Sequence, residues 1–338
     1  MNRRFKAISP FMSATEPNNI NAFDAPDDPT LPNQAPHAPV LPSEVLDALN
    51  PQPGDTYLDL TVGAGGHCAL IARRIGERGR IVAFDRDETA ISLASERLKS
   101  VLAPVRFIHS TFDALPGLIE SGDVPQADVV LADFGVSSMV LDNERRGFSF
   151  KADAPLDMRM DATTGFTAAD WLNSVSEKEI ADAIYYNADE RFSRRIARRI
   201  IEARRASPIE TTGRLAAIVE SAYPPPARRR LRIHPATRAF QAIRIVVNDE
   251  LSQIQRLLSS IDVFLKPGGR FACISFHSLE DRLVKNTFKT LRQTGRYTLW
   301  KRKPVRASED EMATNPRARS ALLRAIARIE DQSVLRRR

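Results

Sequence analysis

The sequence predicts an α/β fold in which a parallel sheet is covered by helices and interrupted by an all-helical stretch. Three observations predict it. An apolar run, Tyr57-Leu58-Asp59-Leu60, leads through the turn Gly63-Ala64-Gly65-Gly66-His67 into an apolar-periodic helix (Ala69, Leu70, Ile71, Ile75), and then into a strand ending at Asp85. Two more strand signals, at 128–133 and 271–276, are separated from these by helical patterns, as in a parallel sheet. Between about 141 and 237 the apolar spacing is helical throughout.

Taken in order, residues 1–36 read as a disordered extension. They mix Pro, Asn and Asp (Glu16-Pro17-Asn18-Asn19, Asp24-Ala25-Pro26-Asp27-Asp28-Pro29) with few periodic apolar positions. Folded sequence begins near His37. The sheet domain is expected over 37–140 and 238–338, with 141–237 as an inserted helical, substrate-binding domain. Within the insert, Ser176 and Glu179 form a capping box, and Ile180, Ala183 and Ile184 follow at helical spacing. Phe264-Leu265-Lys266-Pro267-Gly268-Gly269-Arg270 reads as a helix end and a turn before the last strand signal.

The glycine turn carries the first chemistry. Gly63, Gly65 and Gly66 let the backbone approach a ligand where a Cβ would collide. An acid on the next strand, here Asp85, accepts hydrogen bonds from ribose hydroxyls. A dinucleotide fingerprint needs a third glycine where Cys68 stands, and no Gly-Lys-Ser/Thr follows, so neither a dinucleotide site nor a P-loop fits. The pattern Asp59-x-Thr61-x-Gly63-x-Gly65 resembles the first motif of class I S-adenosylmethionine-dependent methyltransferases, with Thr61 where a glycine often stands. The strand at 128–133 ends in Asp133, and the last strand signal runs into Ser275-Phe276-His277. Ligands bind at the carboxyl ends of such strands, so Asp85, Asp133 and His277 are candidates to face one crevice.

Composition narrows the class. The chain has 338 residues, 43% of them apolar, and no run near the ~20 apolar residues of a membrane span. No signal-peptide core is present at the N-terminus. Two cysteines, Cys68 and Cys273, make neither a disulfide framework nor a metal-ligand pattern, and read as small buried residues. A cytoplasmic protein without a metal is expected.

The net charge of +7 is concentrated. Arg191, Arg194, Arg195, Arg198, Arg199 and Arg205 fall on one side of a helical pattern whose other side is Phe192, Ile196, Ile200 and Ala203. Arg228–Arg232 and Arg296–Arg306 add two more clusters. Such arginines either form a solvated face paired with local acids or bind phosphates. Three clusters with few acids among them favour a polyanion, RNA. Phe148 and Phe150 either stack on bases or pack in a core.

The chain as a whole resembles the bacterial 16S ribosomal RNA cytosine-N4 methyltransferase family. The resemblance is carried by His37-x-Pro39-Val40-Leu41, Thr61-x-Gly63-x-Gly65-Gly66-His67, Asp85-Arg86-Asp87, Gly135-Val136-Ser137-Ser138, Arg146-Gly147-Phe148-Ser149-Phe150 and Pro155–Asp161. It continues through Glu190-Arg191-Phe192, His234-Pro235-Ala236-Thr237-Arg238, Phe240-Gln241-Ala242-x-Arg244-Ile245, Ile274–Arg282 and Asn315–Ser320. It implies a class I methyltransferase (Rossmann-like) sheet domain with an inserted helical domain. It implies methyl transfer from S-adenosylmethionine to N4 of one decoding-region cytosine, with 16S rRNA, within the small ribosomal subunit, as partner. Cofactor contacts carry over to Gly63, Gly65, Gly66, His67, Asp85, Phe112 and Asp133, with Phe112 packed on the adenine. Two positions depart from the pattern: Val140 replaces a cofactor-contacting glutamine, and Phe134 replaces a leucine beside the expected base pocket.

For catalysis, Asp133 is expected to accept an N4 hydrogen, or else to contact only the amino group of the cofactor. His277 is either a second proton acceptor or structural. Arg191, Arg194, Arg195, Arg198 and Arg238 are the expected RNA contacts, and His234 with Arg238 and Arg244 either touch phosphate or organise a domain junction. Two alternatives remain open: a methyltransferase for another target, and an rRNA-binding assembly factor without chemistry. A homodimer is left open as its assembly.

Overall fold

The computed structural model describes residues 38–135, 143–229, 231 and 233–330. The N-terminal extension (1–36), Val136–Asp142 with Val140, and Arg230 and Arg232 of the second basic cluster lie outside the described residues. The chain divides into two compact units. The first comprises residues up to Asp85, Thr89–Gly135 and everything from Ile254 on; the second comprises Arg86–Glu88 and Val136–Gln253.

The first unit is built on seven strands: β1 (Thr56–Asp59), β2 (Arg80–Asp85), β3 (Val105–His109), β4 (Ala127–Asp133), β5 (Leu265–Ser275), β6 (Tyr297–Leu299) and β7 (Leu322–Arg328). Their order is β3-β2-β1-β4-β5-β7-β6. Strands β1 to β5 run parallel, and β7 is antiparallel to both of its neighbours. This is the α/β, Rossmann-like sheet that the sequence predicts.

Alternate residues of each strand enter different cores. Tyr57, Ile81, Ala83, Val129, Leu131, Ala272 and Ile274 join Val45, Ile71 and Ile75 from the Pro42–Leu49 and Gly66–Ile75 helices. Leu58, Val82, Phe84, Val130, Ala132, Phe271 and Cys273 join Leu115, Leu257, Phe264 and Phe288 on the opposite face. A strand covered on both faces must be apolar at successive positions, which is why these strands read as runs rather than as alternations.

The expected turn at Pro267-Gly268-Gly269 is absorbed into β5 as an irregularity. Ala127 pairs with Leu265, whereas Val129 pairs with Arg270, so the register shifts across this stretch. Gly268 has φ +80, and Gly269 lies so close to Asp128 O that an added Cβ would sit 3.0 Å from it. The glycines therefore serve a strand bulge rather than a free loop.

The second unit is helical. Its core gathers Leu172, Ile180, Ile184, Ile196, Ile200, Leu215, Val219, Ala239, Phe240 and Ile243. The capping box at Ser176 and Glu179 is present, and a second one joins Thr167 and Asp170. The unit ends at Gln253, where the sequence placed the return to the sheet at 238. The reason is the Ala236–Val247 helix, whose Ala239, Phe240 and Ile243 are buried in the helical core. Arg244 pairs with Glu250 at 2.8 Å, and Arg86 donates to Asn248 O and Gln253 within the same unit. Among the described residues, no helix is long and apolar enough to cross a membrane.

Candidate active site and nucleic-acid face

The sheet order reverses between β1 and β4, the position at which open parallel sheets bind their ligands. Asp59 ends β1 and Asp133 ends β4, so a carboxylate stands on each side of the reversal. Asp85 ends β2, and Ser275 ends β5 beside them. Parallel pairing brings these ends to one sheet edge.

The three glycines of the turn do two different jobs. Gly65 (φ +78) leads the Gly66–Ile75 helix, and a Cβ there would sit 3.3 Å from Cα of Ala94. Gly66 faces Pro39, whose ring would lie 3.1 Å from a Cβ. Both are needed for packing. Gly63 (φ +52) opens on space instead, with only Thr61 O at 4.0 Å. Its backbone is open to close approach, and its N–H donates to Asp85 Oδ2 at 2.9 Å. Thus Asp85 fixes the loop.

A second tie joins the two acid-bearing strands. Thr61 Oγ1 accepts the Asp133 N–H at 2.7 Å. Asp59 is 1% exposed and accepts from Tyr57 Oη at 2.8 Å and Thr61 N–H at 3.2 Å. Burial raises its pKa to about 7, partly offset by those two donors, and the charge of Asp85 raises it further. Asp133 keeps 24% of its side chain open, while its Oδ1 is buried without a hydrogen-bond partner. Burial first, then the charges of Asp59 and Glu280, hold its carboxyl well above the usual range.

His67 follows the glycines into the first helical turn and is 8% exposed. Its Nε2 lies 3.9 Å from Asp133 Oδ2. Burial lowers its pKa to about 4, opposed by the Val40 backbone, so the ring is neutral at pH 7. His277 caps the Ser278–Gln293 helix: its Nδ1 accepts the Glu280 N–H at 3.4 Å, and its Nε2 faces Glu280 Oε1 at 3.2 Å. Glu280, 0% exposed, also accepts from Phe276 N–H at 2.7 Å. With both nitrogens turned to Glu280, His277 organises the end of β5.

Phe112 stands in a short 3-10 turn, 9% exposed, its ring 5.7 Å from that of Phe134. Phe134 is 2% exposed in the core. Its ring backs Phe112. Gly135 (φ +124) lies against the Phe276 ring, where a Cβ would come within 2.8 Å. Cys68 and Cys273 are buried free thiols whose pKa values burial pushes up, which leaves them unreactive.

In the helical unit the arginines separate into groups. The Ser193–Ala206 helix buries Ile196, Ala197 and Ile200. Arg191 precedes that helix, in the turn from the Glu177–Ala188 helix, contrary to the single-helix reading. Arg191, Arg194 and Arg195 are exposed and make no ion pair with the described residues. Arg198 is 3.9 Å from Glu177, and Arg199 3.0 Å from Glu202. Arg238 is half-exposed, 3.5 Å from the buried Glu190. Arg228 pairs with Glu220 and Arg296 with Asp262. Phe148 and Phe150 pack against the helical core, and the Phe150 ring lies 4.7 Å from the His234 ring and 4.9 Å from Phe240. Tyr185 and Tyr186, 51% and 67% exposed, sit edge to face at 5.1 Å in the last turn of the Glu177–Ala188 helix.

Sequence reasoning missed Thr61 as the link between β1 and β4, the Tyr57–Asp59 pair, Glu280 and the tyrosine pair. The first two were legible as polar residues inside apolar strand runs; the others depend on tertiary packing.

The model of the MraW methylase family matches residues 34–329. Ribosomal RNA small subunit methyltransferase H of Acidobacterium capsulatum is 50% identical over 296 residues, 86% of this chain and 97% of that protein. The proteins of the same name from Syntrophotalea carbinolica and Koribacter versatilis are each 46% identical, covering 87% and 86% of this chain and 98% and 94% of theirs.

Proposed function

The chain belongs to the MraW methylase family, and from that premise we propose that it methylates the exocyclic N4 of one cytosine in the decoding region of 16S rRNA, with S-adenosylmethionine as donor. The observation that carries this reading is Asp133: a largely buried carboxyl beside the strand reversal, with an unpartnered oxygen, at the same sheet edge as the open glycine Gly63.

The residues fit the cofactor. Gly63 leaves room for close backbone approach, Asp85 is the acceptor for ribose hydroxyls, and Phe112 offers its remaining ring surface to the adenine. S-adenosylmethionine supplies a methyl group activated by a sulfonium charge. Cytosine N4 is a weak nucleophile because its lone pair is delocalised into the ring. Positioning contributes up to roughly 7–11 kcal/mol in well-aligned systems. A placed proton acceptor adds on the order of 10²–10⁴ in rate. Asp133 accepts the N4 hydrogen, which draws lone-pair density toward the methyl and takes up the proton as the N–C bond forms. His277, held by Glu280, acts by fixing the strand end.

The helical unit is the RNA clamp. Arg191, Arg194, Arg195 and Arg198 take phosphates, with Arg238 beside them in the same unit, and Tyr185 and Tyr186 offer ring faces to unpaired bases. A base held in structured RNA must be unstacked to be modified, and such a clamp offsets that cost.

Nucleoside mass spectrometry of small-subunit RNA tests the reading, with cells carrying wild-type protein, none, or Asp133→Ala. N4-methylcytidine should vanish in the deletion and return with wild type but not with the variant. If it persists in the deletion, the substrate assignment is lost.

A further inference from the structure

Around Asp133 the described groups are unevenly matched. From β1 come Asp59 and Tyr57; from the Ser278–Gln293 helix comes Glu280, with His277 turned toward it; from the Gly66–Ile75 helix come Cys68 and His67. The two charges that act on Asp133 most strongly are both acids. Glu280 and Asp59 are engaged with backbone N–H groups or with Tyr57. Asp133 Oδ1 and both ring nitrogens of His67 are buried and complete no hydrogen bond. A buried polar atom left unmatched costs about 1–3 kcal/mol, so three of them together call for an explanation.

A contact between the two side chains would match one of the three, His67 Nε2. His67 Nε2 and Asp133 Oδ2 lie 3.9 Å apart, about 1 Å longer than a hydrogen bond. Catalytic hydrogen bonds are often long until the reactants are in place. We propose that His67 and Asp133 are one proton-holding pair, in which His67 Nε2 shares with Asp133 Oδ2 the proton released from the substrate amine. His67 acts through Asp133 and is a positioning residue.

The step balances under the reading above, on which this inference rests. The N4–methyl bond forms as the donor's S–methyl bond breaks and its electron pair returns to sulfur. The N4–H bond breaks, and its proton passes to Asp133, held toward Nε2. One positive charge disappears at sulfur and one negative charge at the carboxylate, so the acid-rich site gains no net charge. A neutral Asp133 needs an acceptor for its O–H, and a neutral imidazole nitrogen is one; the neighbouring acids are already engaged.

Three proteins decide it: wild type, His67→Phe, which keeps a ring of similar size, and His67→Asn, which restores a polar partner. Donor affinity is read by calorimetry, and methyl transfer to small subunits by kcat against pH. At saturating donor, His67→Phe should lower kcat by about 10-fold or more and move the acid limb of kcat to lower pH, because protonated Asp133 loses its acceptor. His67→Asn should recover part of both effects. An acid limb that stays put, or moves to higher pH, overturns the pair, as does a variant impaired only in donor affinity. A carbon-13 carboxyl titration of Asp133 with the donor bound needs no RNA: its midpoint should fall in His67→Phe, and an unmoved midpoint refutes the proposal. Wild type that methylates no small subunit, while the midpoint shifts as expected, would fault the substrate reading and spare the pair.

Discussion

The hydroxyl of Thr61 accepts the backbone N–H of Asp133 at 2.7 Å, tying the second residue after β1 to the last residue of β4 across the strand reversal. A glycine at position 61 could not make this tie. Thr61→Val keeps the shape and removes the acceptor, leaving the Asp133 N–H unmatched. It should cost about 1–3 kcal/mol of stability and lower kcat for methyl transfer more than it changes donor affinity; Thr61→Ser should restore both. Chemical denaturation and single-turnover kinetics on the three proteins check this.

Gly63 and Gly66 make different predictions although they stand in one turn. A Cβ at Gly63 enters open space, so Gly63→Ala should lose only about 1–2 kcal/mol, the cost of a left-handed alanine. It should weaken S-adenosylmethionine binding by about 10-fold or more, a loss of roughly 1.4 kcal/mol or more. A Cβ at Gly66 meets the Pro39 ring, so Gly66→Ala should lose about 1–3 kcal/mol of stability through overpacking. Thermal unfolding alongside calorimetry separates the two.

Much of the sheet unit is legible in the sequence because its signals are local. The apolar run 57–60, the glycine turn and the acid at 85 each declare themselves within a few residues, and the helix start at Ser176 does so through its cap. Features that depend on what lies across space are not legible. Nothing local marks Gly65 and Gly66 as packing glycines and Gly63 as the open one; the difference is Ala94 and Pro39. Phe134 departs from the family pattern in the sequence, but only the fold shows its ring buried in the core against Phe112. The Ala236–Val247 helix has the apolar pattern of either unit, and its assignment to the helical core rests on which residues it meets.

The histidine in the turn should leave a signature in stability. Its pKa in the folded chain is about 4, below the ordinary 6.5 of an unfolded histidine. Between those values the unfolded chain binds the proton and the folded chain does not, so the neutral ring's contribution is complete above about pH 6.5 and is lost as pH falls toward 4. Asp59, raised to about 7, acts in the opposite sense, losing stability as pH rises, but it is present in both proteins of a comparison. With Asp133→Asn in both proteins, so that the Asp133 carboxyl titrates in neither, the midpoint of His67→Phe relative to its His67 parent should therefore rise as pH is lowered from 7 to 5. A difference that is flat with pH would mean that the imidazole titrates normally in the fold.

The helical unit presents two kinds of surface that an RNA would feel differently. Arg194 and Arg195 are exposed and free of ion pairs among the described residues, so each phosphate they hold releases counterions. Arg194→Ala and Arg195→Ala should each reduce the slope of log affinity against log salt by about one, with similar losses on unrelated RNA sequences. Tyr185 and Tyr186 carry no charge, and stacking on a base is worth about 1–3 kcal/mol. Replacing both with alanine should weaken binding to a single-stranded small-subunit RNA segment by about 10-fold or more while leaving the salt slope unchanged; Tyr186→Phe, which keeps the ring, should bind as wild type does. Fluorescence titrations at four salt concentrations distinguish the cases, because electrostatic contacts change the slope and stacking changes only the intercept. If the double variant binds as tightly as wild type, the tyrosines lie off the RNA path, and the arginines alone form the clamp.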